Sequence, residues 1–262
     1  MRLEKKNLVL LSGLAVWVLL ALFSVGQVKK IFALDCNFLS SWPFCDIAVS
    51  VSNGDRAVQA IILAVVFLLL ILFGYFSFKY LDQGKSIGKG WYLAIFGLAA
   101  LFTVPFASND TQFYFSIGQA VSHGVNPYTE AWNIVNVFFY PASVSPTTGA
   151  MYGPLALDIF SWFYQVSGDN ILIFILLWKI FMWAILIACG LLVFRLVEPA
   201  GDKKLFYFFW FTQPLLLFEW IGNGHFDGFW LFFVLLSFIL AQKNKWWLVI
   251  PCLVIGIWIK FI

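Results

Sequence analysis

Charge is what this chain of 262 residues has least of. Asp, Glu, Lys and Arg make up 11% of it, and the formal net charge is only +3. The sixteen Lys and Arg fall mostly in short loops rather than on one basic face, which excludes a nucleic-acid-binding surface. Cysteine and histidine are also scarce. Four Cys with no Cys-x-x-Cys pair, and two His far apart in sequence, give no framework of metal ligands. Cys36 and Cys45 share one loop and read equally as a disulfide, if that loop lies outside the cytoplasm, or as two free thiols. Cys189 and Cys252 read as packing residues at lipid depth. No internal repeat or low-complexity linker divides the chain, which reads as a single domain over 1–262.

What is abundant is apolar surface. Hydrophobic residues make up 62% of the chain and aromatic residues 20%, with a mean hydropathy of +0.91. Soluble domains carry nearer half apolar residues. The composition therefore predicts an all-α, polytopic membrane helical bundle, with most of the thirteen Trp and thirty-one Phe facing lipid or forming interfacial belts.

Apolar runs long enough to cross about 30 Å of hydrocarbon begin with Leu8 to Gly26, for which a cleaved signal peptide is the rival reading. Ala57 to Phe78 is the second run, and Lys79, Lys85 and Lys89 place the following loop in the cytoplasm. Trp91 to Ala107 then exits, Ser108 to Asn170 is a large external loop, and Ile171 to Leu196 returns to Arg195, Lys203 and Lys204 inside. Leu205 to Trp220 goes out, an external turn covers Ile221 to Gly228, Phe229 to Leu240 comes back to Lys243 and Lys245, and Trp246 to Ile262 leaves again. That makes about seven spans, with a cytoplasmic N-terminus. The chain stops within an apolar run, without cap or flanking loop, which predicts a C-terminally incomplete piece.

The external loop carries most of the chemistry. Thr111 to His123 reads as a short surface helix with Asp110 as N-cap and Gly124 as its left-handed terminator. Gln112, Ser116, Gln119 and His123 form one polar stripe, with Phe113, Ile117, Ala120 and Val121 elsewhere, as for a helix lying along the membrane surface. Asp110 reads both as a capping residue and as a carboxylate held at the tip of the third span. Asn126-Pro127-Tyr128 ends this unit, Pro141 and Pro146 keep the next stretch irregular, and Gly153-Pro154 starts a second surface or re-entrant helix, Leu155 to Gln165.

Three further groups stand out. Glu219, His225 and Asp227 gather around the external turn. They read as metal ligands, as solvated turn residues, or as binders of sugar hydroxyls or a lipid phosphate, and the last is favoured because carboxylates accept from hydroxyls and His donates to phosphate. Lys179 lies about two turns inside the fourth span, where a cation is a functional suspect unless its stem snorkels to the interface. Lys260 lies near the outer end of the last run.

Asp110-x-x-x-Tyr114, Gly118-Gln119-Ala120, His123-Gly124-Val125-Asn126-Pro127-Tyr128, Tyr152-Gly153-Pro154-Leu155 and Gly224-His225-Phe226-Asp227 occur in this order over residues 91 to 262. In that order and spacing they resemble the GT-C superfamily of glycosyltransferases, most closely its polyprenyl-phosphate-mannose-dependent mannosyltransferases, which more often carry Asn where Phe226 stands. The resemblance implies a large first external loop carrying a catalytic Asp, here Asp110, and a lipid-phosphate sugar donor used on the non-cytoplasmic face. The charge-derived topology places Asp110 on that face independently.

The function expected is an integral membrane hexosyltransferase of the cell envelope, most simply a mannosyltransferase. It would move a sugar from a polyprenyl-phosphate carrier to a hydroxyl of an external glycan or glycolipid, inverting the anomeric carbon. The substrate-binding residues expected are Tyr114, Gln119, Asn126, Tyr128, Tyr152, Lys179, His225, Asp227 and Lys260. No metal ligand is assigned; the leaving phosphate would be neutralised by His225, Lys179 or Lys260, or by a divalent cation. No nucleotide is expected, because no cytoplasmic loop is large enough to hold one. A lipid-linked-sugar flippase without transferase activity is the alternative.

Overall fold

The computed structural model describes residues 110–129, 150–197 and 213–260, together with isolated positions at 18, 64, 65, 68, 72, 100, 101, 103 and 210. In chain order the helices are α1 (Asp110–Ser122), α2 (Pro154–Ser167), α3 (Ile171–Val197), α4 (Pro214–Leu217), α5 (Asp227–Gln242) and α6 (Trp246–Ile259). A π-helical turn, Phe218–Gly222, continues α4. Among the described residues there is no strand, and one isolated antiparallel bridge pairs Tyr152 with Lys260, in keeping with an all-α protein.

The helix ends follow local chemistry. Pro154 opens α2 at the position where its missing N–H costs nothing. Gly168, at φ +58°, closes it by donating its N–H to the Tyr164 carbonyl at 2.7 Å. Two residues later Asn170 caps α3, its Oδ1 accepting the N–H groups of Leu172 and Ile173 at 3.1 Å each. Gly124, at φ +77°, ends α1 as its sequence position predicts. Asp110 itself begins α1, so the expected Thr111–His123 helix is displaced by one residue at each end, a difference within the play of helix boundaries.

At 1.5 Å per residue α3 is about 40 Å long. Its segment Ile171–Leu196 is the one described helix long and apolar enough to cross a membrane. Helices α5 and α6 are apolar but shorter, about 24 and 21 Å. Apart from isolated positions, the runs expected at 8–26, 57–78 and 91–107 lie outside the described residues, as do 205–209, 211 and 212 of the run at 205–220 and both Cys36 and Cys45, so the seven-span count stands as an expectation only.

The chain forms two compact units, one of Met1–Phe106 with Asp202–Asn223 and the other of Ala107–Gly201 with Gly224–Ile262. In the first, Thr103 Oγ1 donates to the Ala100 carbonyl at 2.7 Å, and Asn223 Nδ2 donates to Glu219 at 3.4 Å. The second unit contains α1, α2, α3, α5 and α6. Here α1 packs on α2 and α3, while α6 returns along α5 after a three-residue link at 243–245.

The placement of α1 departs from the expected surface helix. Thr111, Gln112 and Ser116 are buried, as are Tyr114, Phe115, Ile117, Gly118 and Ala120. Of the expected polar stripe, Gln112 and Ser116 are packing surface, Gln119 is half-buried and His123 is exposed. Gly118 lies so close to α2 that a Cβ there would sit 2.3 Å from the Phe160 carbonyl oxygen. One turn on, the Ser122 and Ser161 hydroxyls share a hydrogen bond of 2.8 Å. Small residues four apart permit this close approach, and Ser116 Oγ donates to the Gln112 carbonyl of its own helix at 2.9 Å. In contrast, α2 is a surface helix on one side only, burying Ala156, Leu157, Phe160, Phe163 and Tyr164 and exposing Trp162 and Val166.

Between these helices sits an aromatic core. Tyr114 stacks on Phe160 at 4.7 Å, and Trp178 and Phe226 lie 5.2 Å apart. Each such contact is worth about 0.5–1.5 kcal/mol beyond the area it buries.

Candidate active site

The Gly224-His225-Phe226-Asp227 turn is held from three directions. Gly224 has φ +71°, and an added Cβ would meet Thr111 Oγ1 and Trp178 at 3.0 Å, so both the backbone shape and the space require glycine. The Trp178 indole N–H donates to the Gly224 carbonyl at 2.7 Å. Phe226 points into the aromatic core, 1% exposed, and its backbone N–H donates to the Tyr114 hydroxyl at 3.3 Å. An apolar ring in place of the more usual Asn therefore anchors the turn.

With its neighbours fixed, His225 meets the start of α1. Its Nδ1 lies 3.1 Å from Asp110 Oδ2, and the side chains are 24% and 41% exposed respectively. At a helix N-terminus a carboxylate is favoured by the dipole of the helix. Nδ1–H donating to the carboxylate fixes the ring, leaving Nε2 as acceptor in the neutral imidazole and as donor in the imidazolium. The pair is therefore ordered and open to solvent on one side, as a group that exchanges protons with a substrate must be.

A second pair follows along the same turn. Asp227, the first residue of α5, accepts from Lys260 Nζ at 2.5 Å, and the Trp230 indole approaches the same oxygen at 3.5 Å. Lys260 is placed by the bridge to Tyr152 and by the Gly153 N–H, which donates to the Ile259 carbonyl at 3.1 Å. His225 and Asp227 are two residues apart, so their Cα atoms lie within about 7 Å. Acid and base alternate through Asp110, His225, Asp227 and Lys260. Lys260, expected to face a phosphate, is engaged by Asp227.

Tyr152 and Tyr114 form the floor behind these pairs. Tyr114 is 1% exposed. Burial pushes its phenol well above the ordinary value, with Tyr152 and the Asp110 charge adding to the effect. Sequence reading expected it to touch substrate; its position is that of a supporting residue whose hydroxyl holds the turn. Tyr128 is partly exposed and donates its hydroxyl to the Tyr152 carbonyl at 2.8 Å, while Asn126 Oδ1 accepts the Tyr128 N–H at 3.0 Å and shapes the local turn.

Of the other expected residues, Gln119 lies elsewhere and Lys179 is buried. Gln119 is nine residues along α1 from Asp110, about 13 Å down the axis. There its amide approaches Asp169 at 3.4 Å, beside the Tyr164 hydroxyl, which donates to the same carboxylate at 2.6 Å. Lys179, next after Trp178 on α3, is 1% exposed, so its stem does not snorkel to a surface. Glu219 belongs to the first unit, and among the described residues no three His, Cys, Asp or Glu side chains converge as metal ligands. Sequence reading missed Trp178. It is one more aromatic in an apolar run, and its partner Gly224 is 46 residues away.

The chain is 26% identical over 148 residues to alpha-(1->6)-mannopyranosyltransferase A of Corynebacterium glutamicum, a match covering 55% of this chain and 30% of that protein. The chain thus aligns with less than a third of the relative's length. No solved structure matches it. The model of the family described as "Alpha-(1->6)-mannopyranosyltransferase, N-terminal domain" matches residues 10–262, nearly the whole sequence, and the chain belongs to that family.

Proposed function

We propose that this chain is the N-terminal part of an integral membrane mannosyltransferase of GT-C type, using a polyprenyl-phosphate mannose donor and a glycan or glycolipid hydroxyl as acceptor on the external face. The observation that carries the reading is the Asp110 carboxylate, fixed at the start of α1 against His225 Nδ1 at 3.1 Å and still partly exposed.

In this reading Asp110 accepts the proton of the acceptor hydroxyl as its oxygen attacks the anomeric carbon. The bond from that carbon to the phosphate oxygen breaks with inversion, and its electron pair leaves on the phosphate. The departing phosphate needs charge stabilisation rather than a proton. Lys260 supplies it by exchanging Asp227 for a phosphate oxygen. His225 orients Asp110, and through Nε2 is a donor toward the same anion when protonated. Tyr128 and Tyr152 form one wall of the cleft, and Tyr114 supports it from behind.

Asp110→Asn in the full-length protein keeps the hydrogen bond to His225 but removes the base. Loss of a general base costs about 10²–10⁴ in rate, so transfer from radiolabelled lipid-phosphate mannose should fall by at least that lower figure while membrane insertion is unchanged. Full-rate transfer by the variant would overturn the assignment.

A further inference from the structure

The exposed side of α2 carries a set of groups that the two ion pairs do not use. Asp158, Trp162 and Gln165 are spaced four and three residues apart and all exposed, so they line one stripe of the helix over about 10 Å of its axis. The Trp162 ring is 58% exposed. Its edge contact with Phe163, at 4.9 Å and 85°, holds the indole without covering it. Gln165 Nε2 is steadied by Ser161 Oγ at 3.3 Å.

The stripe begins close to the candidate site, since Asp158 follows Tyr152 by six residues. Tyr128, 38% exposed, donates to the Tyr152 carbonyl at 2.8 Å; Tyr152 pairs with Lys260; and Lys260 holds Asp227. The charge of Asp158 reaches Tyr128, whose phenol is raised by burial and then by that carboxylate.

We propose that Asp158, Trp162 and Gln165, with Tyr128 at the near end, form a track for the already-built part of an uncharged glycan acceptor, leading its growing end toward Asp110. The proposal rests on the mannosyltransferase reading and names where its acceptor lies. A pyranose ring has an apolar C–H face, which an open indole matches, and a rim of hydroxyls, which a carboxylate accepts from and an amide both donates to and accepts from. Helix α2 contains no Lys, Arg or His. Helices that bind anionic lipid surfaces carry cations on their polar face, and here a phosphate headgroup would meet Asp158 instead. A neutral, hydroxyl-rich chain fits the stripe better than a lipid interface does.

The test uses the full-length protein in membranes with alpha-(1->6)-linked acceptors of one, three and five mannose units. Trp162→Ala should raise the acceptor KM roughly tenfold for the two longer acceptors. It should leave kcat, the donor KM and the single-unit KM unchanged, and Trp162→Phe should recover part of the loss. Equal effects at every acceptor length, or a rise in the donor KM with loss from the membrane fraction, would make Trp162 an interfacial anchor and overturn the proposal. Saturation-transfer NMR with mannotriose separates this from failure of the transferase reading. A signal present in the parent protein and lost in Trp162→Ala supports the track even where no transfer occurs, and an equal signal in both proteins overturns it.

Discussion

The Tyr114 hydroxyl accepts the Phe226 N–H from within the core, and so ties the first helix to the turn that presents His225. Tyr114→Phe keeps the ring stacked on Phe160 but leaves a buried donor without its acceptor, at a cost of about 1–3 kcal/mol. The same residue gives a pH signature. Its folded-state pKa lies above the ordinary value of 10.0, so its stabilising contribution is complete below pH 10 and is lost as pH rises through the folded value. Melting temperatures between pH 8 and 11 should fall more steeply for the parent protein than for Tyr114→Phe. Parallel slopes would show that this phenol titrates in the folded protein as it does in the unfolded chain.

At the scale of elements, two glycines of the same helix unit separate space from backbone shape. Gly118 has helical backbone but no room, with the Phe160 carbonyl 2.3 Å from an added Cβ; Gly124 has φ +77° and nothing within 4 Å. Gly118→Val should push α1 from α2 and destabilise the fold by about 1–3 kcal/mol, whereas Gly124→Ala should cost about 1 kcal/mol for conformation alone. Chemical denaturation in detergent reads both, and equal losses would contradict the close crossing. These elements also show what the sequence discloses. Gly124, Gly153-Pro154 and Ser167 to Asn170 announce helix ends because the chemistry of an end is local. The burial of α1 is not local, since Ser, Thr and Gln suit a wet face and a tight helix crossing equally well. Only the position of the Phe160 backbone decides between them.

Across the whole described molecule, the site residues come from distant parts of the chain. Tyr114 meets Phe226 across 112 residues, Trp178 meets Gly224 across 46, and Asp227 meets Lys260 across 33. Their motifs are readable in sequence, but the pairing is not, which is why Lys260 was expected to face a phosphate and is found with Asp227. Both side chains are a third or more exposed, so their attraction should add little to stability, about 0–1 kcal/mol. Its effect should lie in activity. The exchanged pair Asp227→Lys with Lys260→Asp should melt near the parent temperature but transfer sugar poorly, because the cation then sits on α5 and not beside Tyr152. Parent-level transfer by the exchanged protein would show that the sign of each position is immaterial.

The bridge between Tyr152 and Lys260 also sets a timetable. Asp110 is synthesised about 150 residues before Lys260, and at 5–20 residues per second that interval is on the order of 10 to 30 s. During synthesis α1 is in place while the groups that flank it are still being translated. The wall next to the carboxylate closes only when the end of α6 leaves the ribosome.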